Sequence, residues 1–194
     1  MKLERCIGVK RAIDLLLALI AAVVLAIPIL YIALLVRLTS IGPALYWSER
    51  IGRNNAVFRM PKFRSMKTGA PALATHLLED ADTWLTPIGS FLRKTSLDEL
   101  PQLWSILVGD MSFVGPRPAL FNQADLVALR TQSGVHRLTP GLTGWAQING
   151  RDELPIPDKV RLDVEYLHRQ SFLFDQRILW LTCVKVLLRD GVSH

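Results

Sequence analysis

The sequence is poor in the residues that build disulfide frameworks and zinc sites. It has only two cysteines, Cys6 and Cys183, which are too few for a disulfide framework. Both lie in apolar or juxtamembrane sequence, a setting typical of reduced thiols in or against a cytosolic compartment. The four histidines are scattered, and no H-E-x-x-H or C-x-x-C spacing occurs. These absences exclude the common zinc motifs and a disulfide-stabilised scaffold.

Signatures of the commonest enzyme classes are missing as well. The chain has no P-loop, no G-x-G-x-x-G and no G-x-S-x-G, so the usual nucleotide-binding and hydrolase motifs are excluded. Charged residues make up only 21% of the chain, which excludes a disordered tail or a highly charged fibrous protein. The 194 residues suffice for one domain with a hydrophobic core and not comfortably for two.

What the chain does have is apolar surface and an excess of positive charge. Half of the residues are apolar, and the formal net charge is +6. Leu15 to Val36 is a run of 22 residues without a charge, about 33 Å long as a helix. That length is enough to enter or cross a bilayer. A secretory signal peptide is excluded, because the run is too long and no A-x-A-like cleavage site follows it.

The middle and the flanks of this run argue against a plain crossing. Pro28 lies near its centre, where it removes a backbone donor and kinks or breaks a helix. Basic residues flank both ends, so the positive-inside rule assigns no orientation to a span. A segment that turns at Pro28 and leaves by the same leaflet satisfies the rule at both ends, whereas a kinked single pass remains the alternative. The flanking basic residues are Lys2, Arg5, Lys10, Arg11, Arg37, Arg50 and Arg53.

The rest of the chain predicts several helices and little sheet. Pro140-Gly141 and Asn149-Gly150 are turn signals around Leu142 to Ile148, which indicates a small β element. Pairs at i, i+4 favour a helix over Asp158–Arg169, namely Lys159 with Asp163 and Glu165 with Arg169. The fold class is therefore mainly α with a small β element. Further helices are predicted over Pro71–Asp82, Thr86–Leu92 (capped by Thr86-Pro87), Ser96–Val108 (ended by Gly109) and Pro118–Arg130.

Two basic features are compatible with a membrane surface. An apolar helix from Arg177 to Arg189 carries Arg177, Lys185 and Arg189 on one side, which suits either an amphipathic interfacial helix or an ordinary core helix. A second stretch, Arg50 to Lys67, has six basic residues and no acid. Such a run is either a solvated face or a site for phosphate, including lipid phosphate. Its members are Arg50, Arg53, Arg59, Lys62, Arg64 and Lys67.

Acidic residues suited to catalysis occur in one place. Ser96 and Glu99 have the S-x-x-E spacing of a helix-capping box, which explains Glu99 without any chemistry. Asp98 is not needed for that box. In the first turn of a helix its ionised form is favoured, and an ionised aspartate is what a nucleophile or a Mg²⁺ ligand requires. Downstream, Pro116 and Pro118 restrict the backbone around Arg117, whose planar guanidinium is suited to phosphate or is simply exposed on a rigid turn.

Four long motifs in register make the chain recognisable: Lys62–Met66, Ser96–Gln102, Gly109–Pro118 and Pro140–Arg151. Together they resemble the bacterial sugar transferases, the small monotopic phosphoglycosyl transferases. The resemblance runs from about residue 10 to residue 193. The chain is similar to the minimal form of the family, such as the enzyme that initiates N-linked glycan assembly in Campylobacter-type pathways.

The resemblance implies a reaction and a location. A UDP-sugar would give its phospho-sugar to polyprenol (undecaprenyl) phosphate, yielding polyprenyl-diphospho-sugar and UMP. Minimal members often use N-acetylated amino sugars, which sets the expected substrate. The family also implies a re-entrant membrane helix over residues 1–36 and a catalytic domain over 37–194, on the cytoplasmic face of the bacterial inner membrane. Membrane lipid is thus an expected partner, and whether the chain forms a homodimer is left open.

Site residues are implied by the same resemblance. Asp98 corresponds to the nucleophile that forms a covalent phospho-sugar intermediate, and Glu99 to its partner that binds Mg²⁺ or moves a proton. Both are therefore candidate ligands of the Mg²⁺ cofactor. Lys62 corresponds to the functional lysine and Arg117 to the phosphate-binding arginine. Further candidates for binding phosphate or substrate are Arg64, from the basic run, and Arg93, Gln147, Arg151, Asp163 and Asp175.

One motif of the chain differs from that of the family, and two other functions are alternatives to the transferase. The family's membrane helix breaks at a Ser-Pro pair, whereas this chain has Ile27-Pro28 and so lacks a hydroxyl that could bond a freed carbonyl. The alternative function is a catalytically silent, membrane-anchored scaffold of a glycan-assembly complex. A nucleic-acid binder fits the charge, but the chain lacks an RNP, KH or zinc module, so no nucleic-acid partner is expected.

Overall fold

Helices dominate the structure, and a small sheet accompanies them, as the sequence predicts. The structure is a computed structural model that describes residues 2–71, 81–150 and 154–188. The helix predicted between Pro71 and Asp82 falls mainly on residues 72–80, which lie outside the described residues. Arg151 and Arg189 lie outside them as well.

The N-terminal apolar run forms two helices that meet at a sharp bend. Helix α1 covers Lys2–Val24 and α2 covers Ala26–Thr39, and the two are bent by 62°. The bend lies at Leu25, one turn ahead of Pro28, because proline has no N–H to bond the carbonyl four residues earlier, that of Val24. No single described helix is long and apolar enough to cross a bilayer, but this bent pair meets both criteria from Gly8 onward.

A three-stranded sheet, which the sequence patterns did not predict, follows α2. Strands β1 (Leu45–Ile51) and β2 (Val57–Phe63) form an antiparallel hairpin. Its turn places Asn54 and Asn55 at φ of 55° and 61°, a left-handed conformation that asparagine tolerates. Strand β4 (Ala119–Leu120) adds to the other edge of β1. Much of the basic run Arg50–Lys67 is therefore a strand rather than an unstructured charged face.

A second, two-stranded sheet confirms only part of the predicted β element. Strand β3 (Ser112–Val114) pairs in parallel with β5 (Gly141–Thr143). The prediction of β structure up to Ile148 is wrong beyond Thr143, because helix α6 (Trp145–Ile148) follows at once.

Three helices begin later than predicted. Helix α3 covers Gly89–Lys94, because the Thr86 hydroxyl donates to the Ser65 carbonyl at 3.3 Å and does not cap a helix. The predicted Ser96–Val108 helix is a 3₁₀ turn over Leu97–Gln102 followed by α4 (Leu103–Val108). Gly109, at φ 102°, ends it as predicted. Helix α5 covers only Ala124–Gln132, since the residues before it pair with β1.

The last two helices agree with the sequence more closely. Helix α7 covers Ile156–Arg169 and α8 covers Phe172–Leu188. The predicted ion pair between Glu165 and Arg169 is present. Helix α8 contributes to the core, as one of its two interpretations requires, and its role at a membrane interface stays a prediction. Phe174 and Ile178 pack into a core, whereas Leu173 and Trp180 are exposed.

The bent helix pair packs into the protein rather than standing apart from it. Ala18 of α1 lies in a buried cluster with Met60 of β2 and Ile106 of α4. Val36 of α2 packs with Phe63 of β2 in another. Strand β2 is therefore held between the two helices, and this fixes the position of Lys62 between those two contacts.

Candidate active site

Asp98 and Glu99 lie on the 3₁₀ turn, with their carboxylates directed at strand β2. The predicted capping box is wrong. Ser96 has a left-handed φ of 56° and makes no side-chain cap. Its backbone takes part instead, because its carbonyl accepts from the Glu99 N–H at 3.2 Å and its N–H donates to the Arg93 carbonyl at 3.1 Å. Pro101 lies inside this segment and has no N–H to donate to a helical hydrogen-bond ladder, so it interrupts a regular α-helix here. The Glu99 carboxylate is thus released from any capping role.

Two cations converge on these acids from different elements. The Nζ of Lys62, on β2, lies 2.7 Å from Glu99 Oε1 and 4.0 Å from Asp98 Oδ2. The Nη2 of Arg117 lies 3.3 Å from the same Glu99 Oε1. Four residues that are distant in sequence, two acids and two bases, therefore form one cluster. The sequence-predicted core of the site is brought together.

The electrostatic surroundings treat the two acids differently. Burial acts to raise the pKa of Glu99, but the charges of Lys62 and Arg117 and their hydrogen bonds outweigh it and hold the pKa well below its usual range. For Asp98, burial raises the pKa and the neighbouring Glu99 adds to this, while Lys62, Arg93 and Arg117 oppose it. Glu99 is therefore the counter-ion of the two bases, whereas the pKa of Asp98 is raised, because its burial and the charge of Glu99 outweigh the neighbouring cations.

Arg117 is positioned through its own backbone. Its carbonyl accepts a hydrogen bond of 2.8 Å from Nη1 of Arg130. Arg130 is in turn held by Asp163 of α7, whose Oδ2 accepts bonds of 2.9 Å from Nε and 2.7 Å from Nη2. Asp163 is only 1% exposed. It was predicted to pair with Lys159, yet its salt bridge is to Arg130, and it connects to the acids through Arg130 and Arg117.

Breaking the Asp163–Arg130 pair is expected to destabilise the fold. Asp163→Asn leaves the buried Arg130 guanidinium without a counter-charge, which costs about 3–5 kcal/mol of unfolding free energy. Denaturant titration in detergent micelles measures it. The control is Asp158→Asn on the same helix, 46% exposed and paired with Arg161 at 3.3 Å, with an expected change of under about 0.5 kcal/mol. Equal losses in both variants would contradict a structural role for the buried pair.

The donor set at Asp98 and Glu99 fits Mg²⁺. Among residues 8–71, 83–150 and 154–186, no three His, Cys, Asp or Glu side chains cluster as a metal cage. Mg²⁺ does not need one, because one or two carboxylates suffice when substrate phosphates and water supply the other oxygens. Two adjacent carboxylates, with Glu99 held ionised, meet that requirement. Lys62 and Arg117 both contact Glu99, which leaves Asp98 as the better placed ligand.

The other predicted site residues differ in whether they interact with this cluster. Arg93 acts on Asp98 electrostatically. Gln147, on α6, donates to the Leu142 carbonyl at 3.2 Å. Asp175 accepts hydrogen bonds from Lys10 and, at 2.8 Å, from the hydroxyl of Tyr166, and none of its contacts in the described structure is with the acids. Arg151 lies outside the described residues.

Arg64 is buried at the end of the helix pair. It is 5% exposed, and its Nη2 donates to the carbonyl and the hydroxyl of Ser40 at 3.1 and 2.9 Å. Its Nε and Nη1 have no partner within the part of the chain that the structure describes. Burial, followed by the charge of Arg37, lowers its pKa. Its binding role stays a prediction.

Sequence reasoning missed Arg130 entirely. The residue is an arginine in the last turn of α5, where a base is ordinary and gives no signal of its own. Only the fold shows that it joins Asp163 to Arg117.

Comparison with known proteins gives a consistent set of relatives. A family model described as bacterial sugar transferase matches residues 5–189. The chain is 40% identical over 185 residues to the sugar transferase EpsL of Bacillus subtilis, covering 95% of this chain and 90% of EpsL. It is 41% identical to an undecaprenyl-phosphate glucose phosphotransferase of Komagataeibacter xylinus, covering 89% of this chain and 35% of that protein. It is 39% identical to the UDP-glucose:undecaprenyl-phosphate glucose-1-phosphate transferase of Escherichia coli, covering 91% and 39%. The chain thus spans most of EpsL but well under half of the two larger relatives.

Proposed function

The chain belongs to the bacterial sugar transferase family, and from this premise we propose that it is a phosphoglycosyl transferase acting on polyprenol phosphate. It transfers a phospho-sugar from a UDP-sugar to that lipid, giving polyprenyl-diphospho-sugar and UMP. The observation that carries the proposal is the Asp98–Glu99 pair, of which Asp98 is buried and Glu99 partly buried, held against Lys62 and Arg117. Relatives whose names state undecaprenyl-phosphate sugar phosphotransfer support the substrate class.

The reaction proceeds in two displacements at phosphorus. In the first, a carboxylate oxygen of Asp98 attacks the β-phosphorus, and the bond from that phosphorus to the bridging oxygen breaks. UMP leaves with the bridging oxygen, and the phospho-sugar is bound to Asp98 as an acyl phosphate. In the second, a phosphate oxygen of the polyprenol phosphate attacks the same phosphorus and releases the Asp98 carboxylate. Covalent catalysis thus replaces one difficult displacement by two simpler ones.

The neighbouring side chains supply charge and orientation. Glu99 fixes the side chains of Lys62 and Arg117 and stays ionised while doing so. The two bases offset the negative charge of the diphosphate and of the lipid phosphate. Mg²⁺ bound at Asp98 and Glu99 would offset further charge on the diphosphate.

A re-entrant membrane helix explains the exposed apolar surface around the bend at Leu25. The exposed apolar side chains continue from α1 across the bend into α2, and a soluble monomer rarely exposes so large an apolar surface. The basic flanks at both ends support a topology in which the two ends lie on the cytoplasmic face of the bacterial inner membrane. The exposed apolar residues are Leu16, Leu19, Ile20, Val23, Val24, Ile27, Leu30, Tyr31, Leu34 and Leu38.

The first experiment is a measurement of UMP release from a panel of UDP-sugars, with Mg²⁺ and undecaprenyl phosphate. The panel includes N-acetylated amino sugars, the expected substrates, and UDP-glucose and UDP-galactose, which appear in relatives' names. Release by one sugar that requires the lipid supports the proposal and identifies the substrate. No release across the panel from folded protein would instead favour the silent scaffold.

Topology is tested by cysteine labelling. Single cysteines introduced near residues 2 and 40, in a chain with Cys6 and Cys183 replaced by serine, are expected to react with an impermeant maleimide from the same, cytoplasmic side. Pro28→Ala restores a helical donor and is expected to shift the two sites toward opposite sides. Opposite-side reactivity in the chain that retains Pro28 would establish a single pass and remove the re-entrant topology.

A further inference from the structure

The two halves of the proposed active site are joined by a short segment that contacts the first membrane helix. Asp98 and Glu99 lie on the 3₁₀ turn that leads directly into α4, and Arg117 follows β3 by three residues. Residues 107–113, here called the joining segment, connect the end of α4 to the middle of β3. The position of Arg117 relative to the acids therefore depends on how this segment is held.

Arg11 of α1 binds the first end of the joining segment. Its Nη1 donates to the carbonyl of Ile106, and its Nη2 donates to that of Leu107 at 2.8 Å. Carbonyls in the last turn of a helix have no partner within the helix, and a basic side chain is a favourable one. Arg11 thus fixes the end of α4, and with it the side of the site that carries Asp98 and Glu99.

Asp14 of α1 binds the other end. The N–H groups that flank Phe113 bond elsewhere, that of Ser112 to the Pro140 carbonyl at 2.9 Å and that of Val114 to the Ser112 hydroxyl at 3.3 Å. The Phe113 N–H instead donates to Asp14 Oδ1 at 3.3 Å. Asp14 is 6% exposed. Its carboxylate accepts from the edge of β3 that does not pair with β5, and Arg117 follows this strand in the sequence.

The two residues act together because of their spacing. Arg11 and Asp14 are three residues apart, which places them on the same face of α1. The same face continues to Ala18, which is fully buried against Ile106 and Met111. The polar contacts are therefore backed by close packing, and α1 is a rigid support for both ends of the joining segment.

We propose that Arg11 and Asp14 are positioning residues that set the separation of Glu99 and Arg117 by holding the two ends of the joining segment. Neither side chain contacts the acids, so both act through the backbone. The proposal rests on the proposed function only for its effect on rate. It also gives the N-terminal membrane helix a role in assembling the active site, in addition to anchoring it.

Hydrogen exchange tests, without reference to activity, whether Arg11 and Asp14 hold the joining segment (the clamp). Asp14→Leu removes the acceptor of the Phe113 N–H, and exchange of peptides spanning the joining segment is expected to rise about tenfold or more. Asp14→Asn keeps an acceptor oxygen of the same reach, so its exchange stays close to that of the unaltered chain. Unchanged exchange in Asp14→Leu would overturn the proposal, whether or not the chain releases UMP.

A double-mutant cycle separates positioning from general destabilisation. Arg11→Met is expected to lower kcat for UMP release about tenfold, since small misplacements of catalytic groups are costly. If Arg11 acts by placing Arg117, then Arg11→Met causes little further loss in an Arg117→Ala background. Multiplied losses in the double variant would mean that Arg11 acts independently of Arg117, and would overturn the proposal.

Controls keep both outcomes interpretable. Arg161→Met, at a site 76% exposed on α7, makes the same chemical change away from the site and is expected to leave kcat unchanged. If Arg11→Met does not fold, Asp14→Leu against Asp14→Asn carries the same cycle with Arg117→Ala. No UMP release by the unaltered chain would refute the proposed function, whereas the exchange result would still decide whether the clamp exists.

Discussion

Replacing Asp98 with asparagine is expected to lower lipid-dependent UMP release about a thousandfold or more. Asparagine has nearly the shape of aspartate but lacks the anionic oxygen that the proposed mechanism uses to attack phosphorus. The cluster of Lys62, Glu99 and Arg117 keeps its own contacts, because the short bonds are between those three side chains. Binding of the UDP-sugar should therefore persist while turnover is lost, and a radiolabelled nucleotide sugar measures both.

Two comparisons show whether this loss is chemical. Asp158→Asn makes the same substitution at an exposed site on α7 and should retain full turnover. Mass spectrometry of the unaltered chain, quenched with UDP-sugar but without lipid, should find a phospho-sugar on Asp98 that is missing from Asp98→Asn. Full turnover by Asp98→Asn would remove Asp98 as nucleophile and leave Glu99 as the acid to examine.

The residues of this cluster could be predicted from the sequence because they lie in long motifs. Lys62, Asp98, Glu99 and Arg117 each belong to one of the four motifs, and the fold brings them within hydrogen-bonding or ion-pair distance. Motifs of this kind identify residues, but they do not state the contacts. That Glu99, rather than Asp98, takes the short bonds to both bases follows only from the geometry of the 3₁₀ turn.

The fold was predicted less well where local patterns compete with tertiary contacts. The basic run Arg50–Lys67 predicts a solvated face or a phosphate site and gives no sign of a strand, and Pro61 donates no ladder bond. Yet Val57–Phe63 is an edge strand, with β1 on one side only, where proline is tolerated. Similarly, Ser96 and Glu99 have capping-box spacing, but two cations bind Glu99 more strongly than a backbone N–H would.

Contacts between distant segments were beyond sequence reasoning altogether. Arg130 and Asp163 are 33 residues apart, and Arg11 and Ile106 are 95 apart. No periodicity or spacing relates such pairs in a single sequence. Both contacts hold elements next to the acid–base cluster, so what the sequence did not predict is the support of that cluster rather than its members.

Replacing Lys62 with methionine is expected to lower kcat/KM for UMP release about a hundredfold. The Lys62 Nζ lies 2.7 Å from Glu99 and 4.0 Å from Asp98, so it is the base that faces both acids. Without it, Arg117 and Arg93 are the remaining basic side chains that offset the charge of two adjacent carboxylates and an incoming diphosphate. Electrostatic stabilisation in a buried site of this kind is worth about 3–4 kcal/mol per donor, which corresponds to two or three orders of magnitude in rate.

The loss should fall on both kinetic constants, because Lys62 offsets charge in the bound substrate and in the transition state. Lys62→Arg restores the cation but not the compact ammonium geometry, and should recover part of the rate. Arg161→Met also removes one positive charge, but from an exposed site on α7, and separates the local effect from the change in net charge. If Lys62→Met and Arg161→Met behave alike, the ion pair with Glu99 has no part in catalysis, and Arg117 must position Glu99 alone.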